Sequence, residues 1–201
     1  MRLHKKIKVF HNTVIEVTAM KRKTFDSILT SFGLVLMFVM LISGSLLMWG
    51  YSFTETQVHN QLAAQRIYFP DKGSPALASK EIGPYLNQYA GKQLLTGAEA
   101  EAYADHFIAV HLQEIGGGKT YSQLSAEAQA NPKDVKLASK VNTMFKGETL
   151  RGLLLEAYAF WMLGEIALVA SISAYVVAII LCVLVIFGWL HLRTVSRDST
   201  I

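Results

Sequence analysis

Histidines and carboxylates are the side chains of this sequence that could hold a metal ion or move a proton. The chain has six histidines, of which His106 and His111 are the closest pair. Five residues correspond to about 140° around a helix, so these two imidazoles would not share a face. No H-E-x-x-H pattern and no cysteine ligand accompanies them. The sequence therefore predicts no metal site and no cofactor.

Glu101 and Asp105 are spaced so that they share a helical face. Two carboxylates catalyse proton transfer only within a cleft, and a solvated helix surface is the more common meaning of this spacing. A G-x-S-x-G nucleophile elbow and a Gly-Lys-Ser/Thr phosphate loop are both absent. We therefore expect no catalytic residue and predict that the protein is not an enzyme.

The segment 145–155 suggests a contact surface instead. Gly147 and Gly152 would let another backbone come close, and Glu148 and Arg151 can pair on one helical face. One interpretation is a helix joint carrying an exposed ion pair, which adds little stability. The other is a surface that binds a second protein, with Gly147, Glu148 and Arg151 as the interaction residues.

Two long uncharged segments dominate the composition, which is 52% hydrophobic and only 17% charged. Residues 28–52 and 166–190 contain no charged side chain. About 20 helical residues cover the ~30 Å hydrocarbon layer of a bilayer. We predict transmembrane helices at residues 27–52 and 164–190, the first as an uncleaved signal anchor. The single cysteine, Cys182, lies in the second segment.

Small side chains recur in the second apolar segment at Ala170, Ala174 and Ala178. In lipid, small residues let helices approach closely. This ridge is predicted to pack the two spans together or to dock on the span of a partner or of another copy.

Basic residues indicate the orientation in the membrane. The net charge is +4, and seven lysines or arginines precede the first apolar segment. Arg193 and Arg197 follow the second. Because such clusters resist export, both termini should be cytoplasmic in the plasma membrane, with residues 191–201 as a tail. The cluster also favours contact with lipid headgroups over binding of nucleic acid.

Residues 1–26 have an amphipathic pattern as well as positive charge. The apolar positions that share one helical face are Leu3, Ile7, Phe10, Val14 and Val17. This pattern predicts either a helix lying on the cytoplasmic leaflet or a loosely ordered basic tail.

Residues 53–163 are predicted to form a helical extracytoplasmic domain. Thr96 and Thr120 open segments of capping-box form, three glycines at 116–118 end a helix, and Ser74 is expected to cap a helix that starts at Pro75. From about residue 133, one or two long helices should run into the second span. Strand patterns are missing, so the predicted fold is all-α.

Four sequence segments resemble a set of actinobacterial two-span membrane proteins. They are VHNQLAAQRIYFP at 58–70, FIAVHL at 107–112, GKTY at 118–121 and GETLRGL at 147–153. The resemblance covers most of residues 53–163. It implies a plasma-membrane location with the helical domain facing the cell envelope, and it transfers no catalytic residue to this chain.

These features favour a non-enzymatic membrane component, an accessory or scaffold subunit that binds another envelope protein or a second copy of itself. One alternative is a sensor-like module that relays shifts of helix packing through the bilayer to a partner. A subunit of a membrane enzyme or transporter is less favoured, because both apolar segments lack ionisable groups.

Overall fold

The structure is a computed structural model, and it describes residues 22–194. Within this range there is no strand, and one isolated bridge joins Tyr68 and Gln93. The prediction of an all-α fold is therefore confirmed. The amphipathic pattern at residues 3–17 and the end of the tail lie outside the described residues.

Within residues 22–194, six α-helices and several short turns of helix follow one another. The α-helices are α1 (Arg22–Gln65), α2 (Gly83–Leu86), α3 (Gly97–Tyr103), α4 (Ala109–Gly116), α5 (Tyr121–Ala130) and α6 (Val135–Thr194). A π-helical turn, Ala104–Ile108, joins α3 to α4. Short 3-10 helices occupy Pro75–Leu77 and Asn87–Tyr89.

Helices α1 and α6 are long and apolar enough to cross a membrane. Neither contains proline, which would interrupt the backbone hydrogen bonds of a helix. Only 6% of the most apolar stretch of α1 and 17% of that of α6 is buried by the protein itself. A core helix of a soluble protein would be mostly covered, whereas the residues that the structure describes leave these two apolar surfaces exposed.

The chain divides into two compact units, of which one comprises residues 22–47 and 169–194. Its two helical segments run antiparallel, because Thr30 contacts Gly188, Gly33 contacts Val185 and Gly44 contacts Tyr175. The less exposed positions of α1 in this unit alternate four and three residues apart. They include Asp26, Thr30, Gly33, Met37, Met40, Gly44 and Leu47. This spacing is typical of a left-handed helix pair.

The second unit, Met48–Leu168, has its own hydrophobic core. The fully buried large side chains at its centre are Leu62, Leu86, Leu94, Met144 and Leu154. They come from α1, α2, the segment before α3, and α6, so distant parts of the sequence meet around one core. The segments on either side of the Tyr68–Gln93 bridge are joined by backbone hydrogen bonds from Phe69 to Lys92 and from Leu94 to Ile67.

Both predicted capping boxes are present in the second unit. The Thr96 hydroxyl accepts from the Glu99 amide while the Glu99 carboxylate accepts from the Thr96 amide, and Thr120 and Gln123 do the same. Gly117 ends α4 with a φ of 61°, a left-handed conformation that glycine adopts at little cost. The prediction for Ser74 was wrong in one respect. Pro75 does open a helical turn, but the Ser74 side chain makes no capping hydrogen bond.

Replacing Gly97 with alanine should destabilise this unit. A Cβ at position 97 would lie 2.3 Å from Cβ of Trp161, which the backbone of α6 holds in place. We expect the free energy of unfolding to fall by about 1–3 kcal/mol, as for other overpacked sites. Gly152→Ala is the control, because a Cβ there meets nothing within 4 Å. Thermal unfolding of the purified protein in detergent measures both, and equal stability of the two variants would contradict the packing described here.

Candidate functional site

Arg151 of α6 is the centre of a half-buried charge cluster. Its Nη2 donates to Oδ1 of Asp105 at 2.7 Å, whereas Nη1 lies 4.0 Å from Oε2 of Glu148. The Arg151 and Asp105 side chains are 34% and 35% exposed. The predicted pairing of Glu148 with Arg151 is thus the longer of two contacts, and the shorter joins residues that lie 46 positions apart.

The π-helical turn positions Asp105. The amide of Ala109 donates to the carbonyl oxygen of Ala104, which is the longer repeat that defines such a turn. Asp105 lies in this turn and pairs with Arg151. Turns of this kind occur frequently at functional sites.

A cavity of about 220 Å³ adjoins this cluster. Arg151, Glu148, Lys119, Gln113 and Thr120 supply its polar lining. Lys119 also donates to Oε1 of Glu127 at 2.6 Å. Because each cation faces a carboxylate, the cluster has little net charge to attract an ion. The cavity volume is below the ~300 Å³ at which pockets for drug-sized ligands begin.

The two glycines of the segment 145–155 have different environments. A Cβ at Gly147 would lie 2.4 Å from Cδ2 of Leu112, so this glycine admits a side chain of the same unit. Gly152 has open space where its side chain would be. An exposed glycine within a helix costs up to about 1 kcal/mol relative to alanine, and nothing within the unit offsets that cost.

An apolar stripe surrounds Gly152 on the exposed side of α6. We call it the α6 stripe and define it as Phe145, Thr149, Gly152, Leu153, Glu156 and Phe160, all of which are exposed. Phe145 is 54% exposed and Leu153 55%. Successive members are one, three or four positions apart, and all six fall within about 100° of the helix circumference, so they share one helical face. Glu156 is the only ionisable group of the stripe.

The alanine ridge of the second apolar segment lies partly in the contact between the two helices of the first unit. Ala178 is only 2% exposed, whereas Ala170 and Ala174 are half-buried. Ser171 is fully buried, and its hydroxyl donates to the carbonyl oxygen of Gly44 at 2.8 Å. A row of residues four apart drifts around a helix, so the contact follows alternating steps of three and four instead.

Residues that could perform acid–base or metal chemistry have structural partners. The ring of His106 stacks on Tyr85 at 3.5 Å, and Nδ1 of His111 lies 2.7 Å from the carbonyl oxygen of Phe107. Burial raises the pKa of Tyr103 above its ordinary value, so this phenol stays protonated at neutral pH. Residues 22–194 contain no group of three or more His, Cys, Asp or Glu side chains that could hold a metal ion.

The fold defines an all-α protein with two helices that are long and apolar enough to cross a membrane and a second unit with a charge cluster and an exposed apolar stripe. Comparison of the chain with protein-family models, with curated proteins and with solved structures finds no match.

Removing the Asp105 charge should cost more stability than removing that of Glu148. We expect Asp105→Asn to lower the free energy of unfolding by about 1–2 kcal/mol, because it weakens a half-buried charged hydrogen bond. Glu148→Gln should change it by less than about 0.5 kcal/mol, since its contact is long and exposed. Denaturant unfolding in detergent, with Arg151→Met added to complete each double-mutant cycle, measures both couplings. A larger coupling for Glu148 would overturn this ranking.

Proposed function

We propose that this chain is a two-span plasma-membrane protein that acts as a non-catalytic accessory subunit. In this proposal both termini are cytoplasmic, and residues 53–163 form a helical domain on the outer side that binds another membrane protein. The observation that carries the subunit role is the α6 stripe, with its open space at Gly152.

The exposure of the apolar segments supports insertion into a bilayer. The most exposed large apolar side chains include Phe32, Val35, Leu46, Val169 and Ile179. A soluble protein rarely exposes a continuous surface of this kind, whereas hydrocarbon solvates it without cost. A helix also satisfies its own backbone hydrogen bonds, as a span must. The orientation follows from the basic residues before α1 and at the end of α6.

The α6 stripe supports a protein partner. Gly152 precedes Gly164, the first residue of the predicted span, by about 18 Å along a helix, so lipid does not account for its exposure in this arrangement. Leu153 and Phe145 present apolar area beside it, and the glycine allows a second helix to approach closely. A small residue flanked by exposed apolar side chains is typical of the contact between two helices.

Glu156 favours a different protein over a second copy as the partner. Two copies in one membrane would present parallel α6 helices, so a symmetric contact through the stripe would place each Glu156 opposite its equivalent. Like charges at a contact centre oppose association. A partner helix with a lysine or arginine at this level pairs with Glu156 instead. We therefore propose a heteromeric partner that carries such a residue.

Impermeant thiol labelling of intact cells tests the topology. In a Cys182→Ala background, Lys72→Cys should react with a membrane-impermeant maleimide, whereas Thr194→Cys should react only after the membrane is opened. Both positions are exposed on the protein, so differences in labelling report the side of the membrane. Labelling of position 194 in sealed cells would contradict the proposed orientation, and recovery of the chain without detergent would contradict insertion.

Site-specific photo-crosslinking tests the partner surface. A benzophenone amino acid at position 152 should form an adduct with one other membrane protein in native membranes. The same probe at Lys136, which is exposed on the same helix roughly 160° away, should not form it.

A charge reversal distinguishes a heteromeric contact from self-association. Glu156→Lys in combination with the probe at position 152 should reduce the adduct at least fivefold. The fold should remain intact, because Glu156 is exposed and has no ion-pair partner among residues 22–194. An adduct of twice the chain mass that persists in Glu156→Lys would instead indicate a homodimer.

A further inference from the structure

A second polar site lies between the ends of the two helices of the first unit. A cavity of about 460 Å³ is lined by Lys23, Thr24 and Ser27 of α1 and by Trp189 and Arg193 of α6. It therefore joins two cations from opposite helices with two hydroxyl groups. Arg193 is held in place, because its guanidinium lies 3.5 Å over the Trp189 ring.

Within residues 22–194, these cations have no carboxylate partner. Asp26 is directed at the contact between the helices, where Oδ2 lies 3.7 Å from Nε2 of His191, and it does not line the cavity. No carboxylate in the described residues lies within ion-pair distance of Lys23 or Arg193. The cavity thus presents two positive charges that no carboxylate of residues 22–194 pairs with, and hydroxyl donors lie beside them. This combination binds phosphate.

The remaining walls are apolar. Ile28 and Leu192 line the same cavity, and Trp189 presents an indole of the kind that lies at membrane interfaces. A free phosphate would gain nothing from these walls. A lipid would place its phosphate against the cations and its glycerol and upper acyl chain against the apolar side.

We infer that this cavity binds the phosphate group of an anionic phospholipid such as phosphatidylglycerol. The inference depends on the proposed insertion of both helices, and it adds a specific lipid partner on the cytoplasmic side. Lys23 and Arg193 contact the phosphate, and Thr24 and Ser27 donate hydrogen bonds to its oxygens. The bound lipid bridges the two helices where they end.

Lipid titration of the full-length protein tests this site. The protein is purified in zwitterionic detergent, and bound lipid is counted by native mass spectrometry with phosphatidylglycerol, phosphatidylcholine, glycerol 3-phosphate or inorganic phosphate added. We expect one phosphatidylglycerol to bind in preference to phosphatidylcholine. Lys23→Gln combined with Arg193→Gln should weaken that binding about thirtyfold, from the loss of two basic contacts. Lys23→Gln alone should weaken it about fivefold while the Arg193–Trp189 contact remains.

Arg22→Gln is the matched control, because Arg22 is adjacent in sequence and exposed but does not line the cavity. Equal loss in Arg22→Gln, or equal binding of both lipids by the wild type, would overturn the inference. Saturation by inorganic phosphate or glycerol 3-phosphate alone would assign the site to a soluble phosphate compound and exclude a lipid. Carbonate extraction of membranes is measured separately. A chain that extracts would contradict the proposed insertion, whereas an inserted chain without lipid preference would contradict this inference alone.

Discussion

The constraint on which the structure depends is the apolar surface of α1 and α6, which residues 22–194 leave uncovered. Within each apolar segment only a narrow face is buried, and it is lined by small residues such as Gly33, Gly44, Ala178 and Gly188. If the helices are inserted as proposed, hydrophobic burial does not hold them together in lipid, and close packing and hydrogen bonds do so instead. The bond from Ser171 to the Gly44 carbonyl oxygen and the contact between Ser45 and Tyr175 are of this kind.

Three glycines of the second unit lie where another side chain packs against the backbone. The Trp161 side chain packs against Gly97, that of Leu112 against Gly147 and that of Thr54 against Gly164. In each case the absence of a Cβ is used by the fold, which offsets the lower helix propensity of glycine. Gly152 also lowers helix propensity, but no side chain of the described residues packs against it. The contrast within one helix supports an external partner at that position.

The sequence was sufficient to predict features that depend on local chemistry. The all-α fold, the two capping boxes and the glycine stop after α4 follow from short patterns whose physical basis is known. The pairing of Arg151 with Asp105 could not be predicted, because it depends on packing between residues 46 positions apart in sequence. The alanine ridge indicated the contact face of α6 only approximately, since the face follows alternating steps rather than steps of four.

The charge cluster and the α6 stripe are linked by their positions on one helix. Arg151 and Gly152 are adjacent, so their side-chain directions differ by about 100° around α6. The hydrogen bond from Arg151 to Asp105 is therefore made in the helix rotation that directs Gly152 and Leu153 outward. Buried Leu154 on the same helix requires the same rotation. This hydrogen bond stabilises the unit, and in the proposed function it also helps to set the direction in which the partner surface faces.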